Sequence, residues 1–228
     1  MIAAPYGGCF VVGTDTGVGK TLVACALLHA LRRAGLAPLP MKPVASGSEP
    51  GPDGPRNDDV TRLIAASGRD LVQDEVAPFR YLPPIAPHIA AAEAGVPIDL
   101  GRLVAHAAVL AAQGPLVVEG AGGFLVPVDA RHSLADLAVA LGLPLVLVVG
   151  MRLGCLNHAL LTAEAVAARG LRLAGWVANG IDRDFERPAE NLATLGDRLA
   201  TPLLATAPWS AAPDPVALAG ALRLPDLH

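Results

Sequence analysis

Apolar residues fall into short unbroken runs, and these alternate with longer stretches rich in Ala and Leu. Cys9 to Val12, Leu116 to Val118, Leu143 to Val149 and Leu173 to Ala178 are such runs, each bounded by turn residues. Continuous apolar runs of this length fit strands buried on both faces, as a parallel sheet requires. Thr201 to Ala207 reads as the last of them. Leu39 to Val44 reads as another extended stretch, because Pro40 and Pro43 each disfavour helix in the residue before them. Between the runs, Lys20 to Arg33 predicts a helix stopped by Gly35, and Leu100 to Gln113 one stopped by Gly114. Further helices are expected from about Asp58, from Pro87 and over Asn157 to Ala168, while Glu49 to Asn57 is a loop. This alternation predicts an α/β fold, a doubly wound and mostly parallel sheet with helices on both faces. With no internal repeat and no long linker, residues 1–228 are read as a single domain.

Composition narrows the class. The chain is 53% hydrophobic, 17% charged and 4% aromatic, the balance of a packed core of Ala, Val and Leu rather than of a disordered segment. The formal net charge is -4 with no dense Lys/Arg cluster, so no nucleic-acid partner is expected. Cys9, Cys25 and Cys155 are too few and too scattered for a disulfide framework or a zinc site and read as small buried hydrophobes. No secretory signal is read at the start, and the run Leu143 to Gly150 is too short to span a bilayer. A cytoplasmic protein without a membrane partner is the expectation.

The candidate chemistry begins where the first run ends. Gly13-Thr14-Asp15-Thr16-Gly17-Val18-Gly19-Lys20-Thr21 joins an apolar strand to a strong helix. Backbone N–H groups at a helix start converge on an anion, and glycines let the chain wrap phosphate oxygens closely. In such a P-loop Lys20 reaches the β- and γ-phosphates and the Thr21 hydroxyl holds Mg²⁺. The motif's usual first glycine falls on Thr14, with Gly13 one place earlier. Leu116-Val117-Val118-Glu119 is a second strand, ending in a carboxylate and followed by Gly120-Ala121-Gly122-Gly123. Ligands of open α/β sheets collect at the carboxyl ends of the strands, so Glu119 either completes a Mg²⁺ shell there or serves as a capping or ion-paired glutamate. Asp58 reads as a candidate N-cap, with Asp59 free to face the metal or simply to lie at a helix start. Lys42 stands inside an apolar stretch. Either it reaches the strand's carboxyl end to neutralise an anion, or it is a solvated lysine on a sheet edge.

Taken together these segments resemble the dethiobiotin synthetase family. The resemblance is carried by the loop at Gly13 to Thr21, by Met41-Lys42-Pro43-Val44-Ala45-Ser46-Gly47-Ser48, by Arg56-Asn57-Asp58-Asp59, by Pro87-His88-Ile89 and by Val118 to Gly123. Leu153-Gly154-Cys155-Leu156-Asn157-His158 and Ala174-Gly175-Trp176-Val177-Ala178-Asn179 continue it, so it spans about residue 9 to about 209. Thr14 is that family's own form of the loop.

What the resemblance implies is a P-loop NTPase-like ligase with Mg²⁺ as cofactor and ATP as co-substrate. 7,8-Diaminopelargonate would capture CO₂ as a carbamate, ATP would phosphorylate it, and the second amine would close the ureido ring of dethiobiotin. Residues Gly13 to Thr21 with Asp59, Glu119, Asn179, Pro208 and Trp209 would bind the nucleotide, Asn179 facing the base. Thr21, Asp59 and Glu119 would hold the metal, and Lys20 and Lys42 would be catalytic. Thr16, Lys42, Ser46 and Gly122 would contact the reacting end of the substrate. Gly154, Cys155, Leu156 and Asn157 would bind its carboxylate tail across a homodimer interface. Gly17 stands where some relatives carry glutamate, and Asn191 where some carry tyrosine.

Two other classes fit parts of the pattern. Nucleotide-driven switches of the partitioning and division-site type share the general fold, but usually carry a further lysine near the start of the loop, where this chain has Gly13, Thr14 and Asp15. The stretch Pro213 to His228 has one basic side chain, Arg223, besides the final histidine, too few for a membrane-surface helix. Amide-forming ligases of corrinoid synthesis are longer and add a glutaminase part. No convincing thiol nucleophile is read here: Cys155 has His158 nearby, but such a pair is equally at home on a helix start.

Overall fold

In the computed structural model, which describes residues 7–52 and 54–227, the apolar runs become strands of one sheet. They are β1 (Gly8–Gly13), β2 (Leu39–Met41), β5 (Leu116–Glu119), β6 (Leu145–Met151), β7 (Leu173–Gly180) and β8 (Leu203–Ala207). All pair in parallel, in the spatial order β2-β5-β1-β6-β7-β8. β3 (Val44–Ala45) and β4 (Phe79–Arg80) form a separate parallel pair.

The strands show no period of two because both faces of the sheet are covered. Cys9, Val11, Val117, Val146, Val148 and Val177 pack on one side, among α1 (Lys20–Arg33), α2 (Asp58–Ser67) and α9 (Pro215–Ala221). Their neighbours Phe10, Val12, Leu116, Val118, Leu147 and Trp176 pack on the other. There they meet α5 (Leu100–Ala111), α6 (Leu134–Leu141), α7 (Cys155–Ala167) and α8 (Pro188–Arg198). Burying each large apolar side chain contributes about 1.5–3 kcal/mol. A strand flanked by two such layers is therefore apolar along its middle, and its polar residues, Glu119 and Asn179, fall at the carboxyl ends. The short α3 (Gln73–Val76) and α4 (Pro87–Ala94) border the β3–β4 pair.

Three local readings change. The expected stretch Leu39 to Val44 divides: β2 ends at Met41, the Lys42 N–H donates to the Val76 carbonyl outside the main sheet, and the chain continues into β3. Pro43 has no N–H with which to prolong the ladder. The cap of α2 is Asn57, whose side chain accepts from the Val60 N–H, so Asp58 is an exposed first-turn residue rather than the N-cap. The helix expected to Gln113 ends at Ala111.

Parallel strands bring their carboxyl ends to one edge. Gly13, Lys42, Glu119, Arg152 and Pro208 each end or follow a strand there, and Asn179 is the last residue but one of β7. β1 lies between β5 and β6, so the chain winds outward in both directions from it. The crevice at that switch point is where open α/β sheets bind ligands.

Candidate active site

The phosphate loop leaves β1 at Gly13 and enters α1 at Lys20. Gly17 and Gly19 have φ of +73° and +91°, and a Cβ on Gly19 would run into Asn179 Nδ2. Only glycine makes that turn without strain while staying against its neighbour. Asn179 is buried and its Nδ2 donates to the Val18 carbonyl at 2.8 Å, bracing the loop from behind. The position where a Gly17 side chain would stand is open.

Lys20, 7% exposed, donates from Nζ to the Asp15 carbonyl at 2.8 Å. Burial lowers its pKa to about 8; Glu119 draws it up while Lys42 presses it down. The Asp15 side chain stays in the loop as well, with Oδ1 accepting from the Thr16 N–H at 2.7 Å and Oδ2 from Arg152 Nη2 at 2.6 Å.

Four of the expected residues meet beside the loop. Lys42 Nζ donates to Glu119 Oε1 at 2.6 Å and to Asp59 Oδ2 at 2.9 Å. The Thr21 hydroxyl donates to the same Glu119 oxygen at 2.8 Å. β2 is an edge strand, yet Lys42 is 5% exposed, so the solvated reading of this lysine is wrong. The side chain turns over the strand end into the crevice, where two carboxylates offset the cost of a buried ammonium. Burial opposes that charge, but Glu119 and Asp59 outweigh it and hold Lys42 above the ordinary lysine value. Burial likewise works to raise Asp59, and Lys42 prevails and lowers it.

This donor set fits a divalent cation. Glu119 is 1% exposed, and its second oxygen, Oε2, is buried without a hydrogen-bond partner. One hydroxyl and two carboxylates form the sparse oxygen shell that Mg²⁺ accepts when phosphate oxygens and water complete it.

Of the residues expected on the substrate side, Ser46 has a buried Oγ without a partner, and its backbone carbonyl accepts from Asn57 Nδ2 at 3.4 Å. Gly122 sits against the loop, where a Cβ would stand 3.5 Å from Thr16 Oγ1. Gly154, with φ +94°, opens α7, and the buried Cys155 packs there with Sγ 4.0 Å from Asn191 Oδ1. Asn191 thus lies at the turn formed by Gly154 to Asn157. The thiol's hydrogen-bond partner is this amide.

Pro208 and Trp209 line a cavity of about 310 Å³ together with Met151, Gly180, Arg183 and Leu192. The Arg183 guanidinium lies 5.6 Å from the Trp209 ring centre. Cys9, Cys25 and Cys155 are all buried and free, and burial raises Cys9 and Cys25 to about 12. Among the described residues no helix is long and apolar enough to cross a membrane.

Sequence reasoning missed two residues. Asn57, rather than Asp58, caps α2, the helix that carries Asp59. Arg152 had only its place after a strand as a signal.

Comparisons with known proteins bear on the family and the fold. A family model described as an AAA domain matches residues 8–216. The ATP-dependent dethiobiotin synthetase BioD of Aromatoleum aromaticum is 55% identical over 217 residues, covering 95% of this chain and 96% of that one. Proteins of the same name from Pseudomonas aeruginosa and Xanthomonas oryzae pv. oryzae are 52% and 48% identical, each over at least 94% of both chains. Among solved structures, the cell division ATPase MinD of Pyrococcus furiosus is 20% identical with a TM-score of 0.54, covering 89% of this chain and 83% of that one. The septum site-determining protein MinD of Pyrococcus horikoshii is 19% identical at 0.53, covering 94% and 85%. Those two likenesses show the fold alone: a mostly parallel P-loop sheet.

Proposed function

The chain belongs to the ATP-dependent dethiobiotin synthetase family, and from that membership we propose that its crevice closes a ureido ring on 7,8-diaminopelargonate with CO₂ and ATP. It is an ATP-dependent ligase of biotin biosynthesis. The observation that carries the substrate reading is the bonded cluster of Thr21, Lys42, Asp59 and Glu119 beside the phosphate loop, next to the unpartnered Ser46 hydroxyl. Two lysines at one crevice suit a reaction in which a carbamate and a triphosphate, both anionic, must be held together.

In this reading one amine of the diamine forms an N–C bond to CO₂ and loses a proton, giving a carbamate. A carbamate oxygen then takes the γ-phosphoryl group and ADP leaves. The second amine attacks the same carbon and gives up a proton, the C–O bond to the phosphate breaks, and phosphate departs as the ring closes. Lys20 holds the transferring phosphoryl oxygens, and Lys42 with Ser46 holds the carbamate. Thr21, Asp59 and Glu119 are the residues that would hold Mg²⁺, whose chemistry there is to neutralise charge on the β- and γ-oxygens. Phosphoryl transfer asks the protein for positioning and charge more than for covalent chemistry.

Further roles belong to the same proposal. Residues Gly13 to Thr21 cradle the phosphates, and the base occupies the cavity beside Pro208 and Trp209, faced by Asn179, which stands between the lining residues Ala178 and Gly180. Thr16 and Gly122 border the diamine. Gly154, Cys155, Leu156 and Asn157 take the carboxylate tail at a homodimer interface, a reading supported by Leu153, 91% exposed in the same turn. One P-loop domain over residues 1–228 and a cytoplasmic setting complete it.

Phosphate release measured with MgATP and bicarbonate, with and without the diamine, tests the reading. Diamine-dependent release with a product of dethiobiotin mass is expected. Release that ignores the diamine would remove the substrate assignment and leave a nucleotide switch or another ligase as the working model.

Lys20 makes a pH prediction. A lysine with a pKa of about 8 is charged below that pH and neutral above it. Phosphates favour the charged form, so nucleotide binding should take up a proton above pH 8 and little below it. Calorimetry of MgATP binding in buffers of different ionisation enthalpy should show this, with affinity weakening as pH rises past 8. Equal proton uptake at pH 6.5 and pH 9 would contradict it.

A further inference from the structure

We propose that Arg152 is a positioning residue for phosphoryl transfer, acting through Asp15 on the phosphate loop; this rests on the ring-closing reading of the crevice. Arg152 directly follows Met151, the last residue of β6. Its carbonyl accepts from the Cys155 N–H at 3.0 Å, inside the turn that opens α7. Its guanidinium reaches across the crevice edge to Asp15 Oδ2 at 2.6 Å. Asp15 then holds the loop twice, through Oδ1 on the Thr16 N–H and through its carbonyl on Lys20 Nζ. A continuous chain of bonds therefore runs from the turn at Gly154 through Arg152 and Asp15 to the ammonium that meets the transferring phosphoryl group.

Two physical needs converge on this link. A loop turning on Gly17 and Gly19 is easily deformed, while a misplacement of about 1 Å in a phosphoryl-transfer site costs roughly 10²-fold in rate. Asn179 braces the loop at Val18, and its Asp15 side is held from the end of β6, a fully buried strand next to β1. The second need is charge. A carboxylate within a phosphate loop opposes the incoming anion, and the Arg152 guanidinium offsets it at contact distance. Arg152 and Asp15 are 40% and 46% exposed, so the pair contributes little to global stability, and its effect should appear in rate.

The test combines kinetics with an observable that needs no turnover. Arg152→Ala should lower kcat about 10- to 100-fold, with a melting temperature close to that of the unaltered chain. Arg152→Lys, which keeps the charge, should recover most of that loss. Asp15→Asn should also be impaired, and Arg152→Ala/Asp15→Asn should be no worse than Arg152→Ala, since both changes cut one link. Hydrogen exchange in the peptide spanning residues 13–21 of the ligand-free chain should quicken in Arg152→Ala. Independent, multiplying losses would mean that Arg152 acts directly on the reacting groups. Unchanged kcat, or unchanged exchange in that peptide, would make it a surface ion pair. Either result overturns the proposal. Phosphate release by the unaltered chain that ignores the diamine would sink the ring-closing reading instead, and loop exchange would still decide the role of Arg152.

Discussion

Lys20→Ala should lower kcat by roughly 10³- to 10⁵-fold, the range seen when a cation is removed from a transferring phosphoryl group. The ammonium is held in place by the Asp15 carbonyl before any nucleotide arrives, so no reorganisation is needed at the moment of transfer. It is also largely buried, where its field is weakly screened. Because its interaction grows as charge develops on the γ-phosphoryl oxygens, the loss should fall mainly on kcat, with a smaller rise in the KM for ATP. The fold should survive, since alanine removes a buried charge whose desolvation already works against it. Phosphate release under saturating MgATP, alongside a melting curve, is the measurement. A kcat within a few fold of normal would take Lys20 out of the mechanism.

Glu119→Gln is the second large effect and should touch metal, rate and stability together. Glu119 is the hub of the cluster: its Oε1 accepts from both Lys42 and Thr21, and its Oε2 is buried and unpartnered. Glutamine keeps the shape and one acceptor but loses the charge. The Mg²⁺ concentration for half-maximal activity should rise at least about tenfold, in keeping with the loss of a ligand-shell contact. Lys42 would keep Asp59 as its one ionised partner, itself partly exposed, so the variant should also lose about 1–3 kcal/mol of stability. Mg²⁺ titration monitored by both activity and thermal shift separates the two effects. A titration curve superimposable on the unaltered chain's would exclude Glu119 from the metal set.

Much of this site was legible along the chain because its parts are local. A strand buried on both faces has to be an unbroken apolar run, so β1, β5, β6 and β7 announced themselves in Cys9 to Val12, Leu116 to Val118, Leu143 to Val149 and Leu173 to Ala178. The phosphate loop was equally plain, since its glycines, Lys20 and Thr21 must lie at fixed spacing between a strand and a helix. Glu119 could be placed in the crevice from its position at a strand end alone.

What the pattern left undecided were directions and pairings. Lys42 on an edge strand is compatible with solvent or with a buried ion pair. Only the arrival of Asp59 from α2 and Glu119 from β5, at 2.9 and 2.6 Å, selects the second. Asp58 and Asp59 are equivalent as neighbours, and in the helix capped by Asn57 it is Asp59 that meets Lys42 while Asp58 is exposed. Arg152 lies 137 positions from Asp15 and nothing near either residue signals their contact. A hydrophobic period and a glycine's φ are properties of the local chain and can be read from it. An ion pair between distant residues exists only where the sheet order brings two strand ends side by side, and that order is decided by packing throughout the molecule.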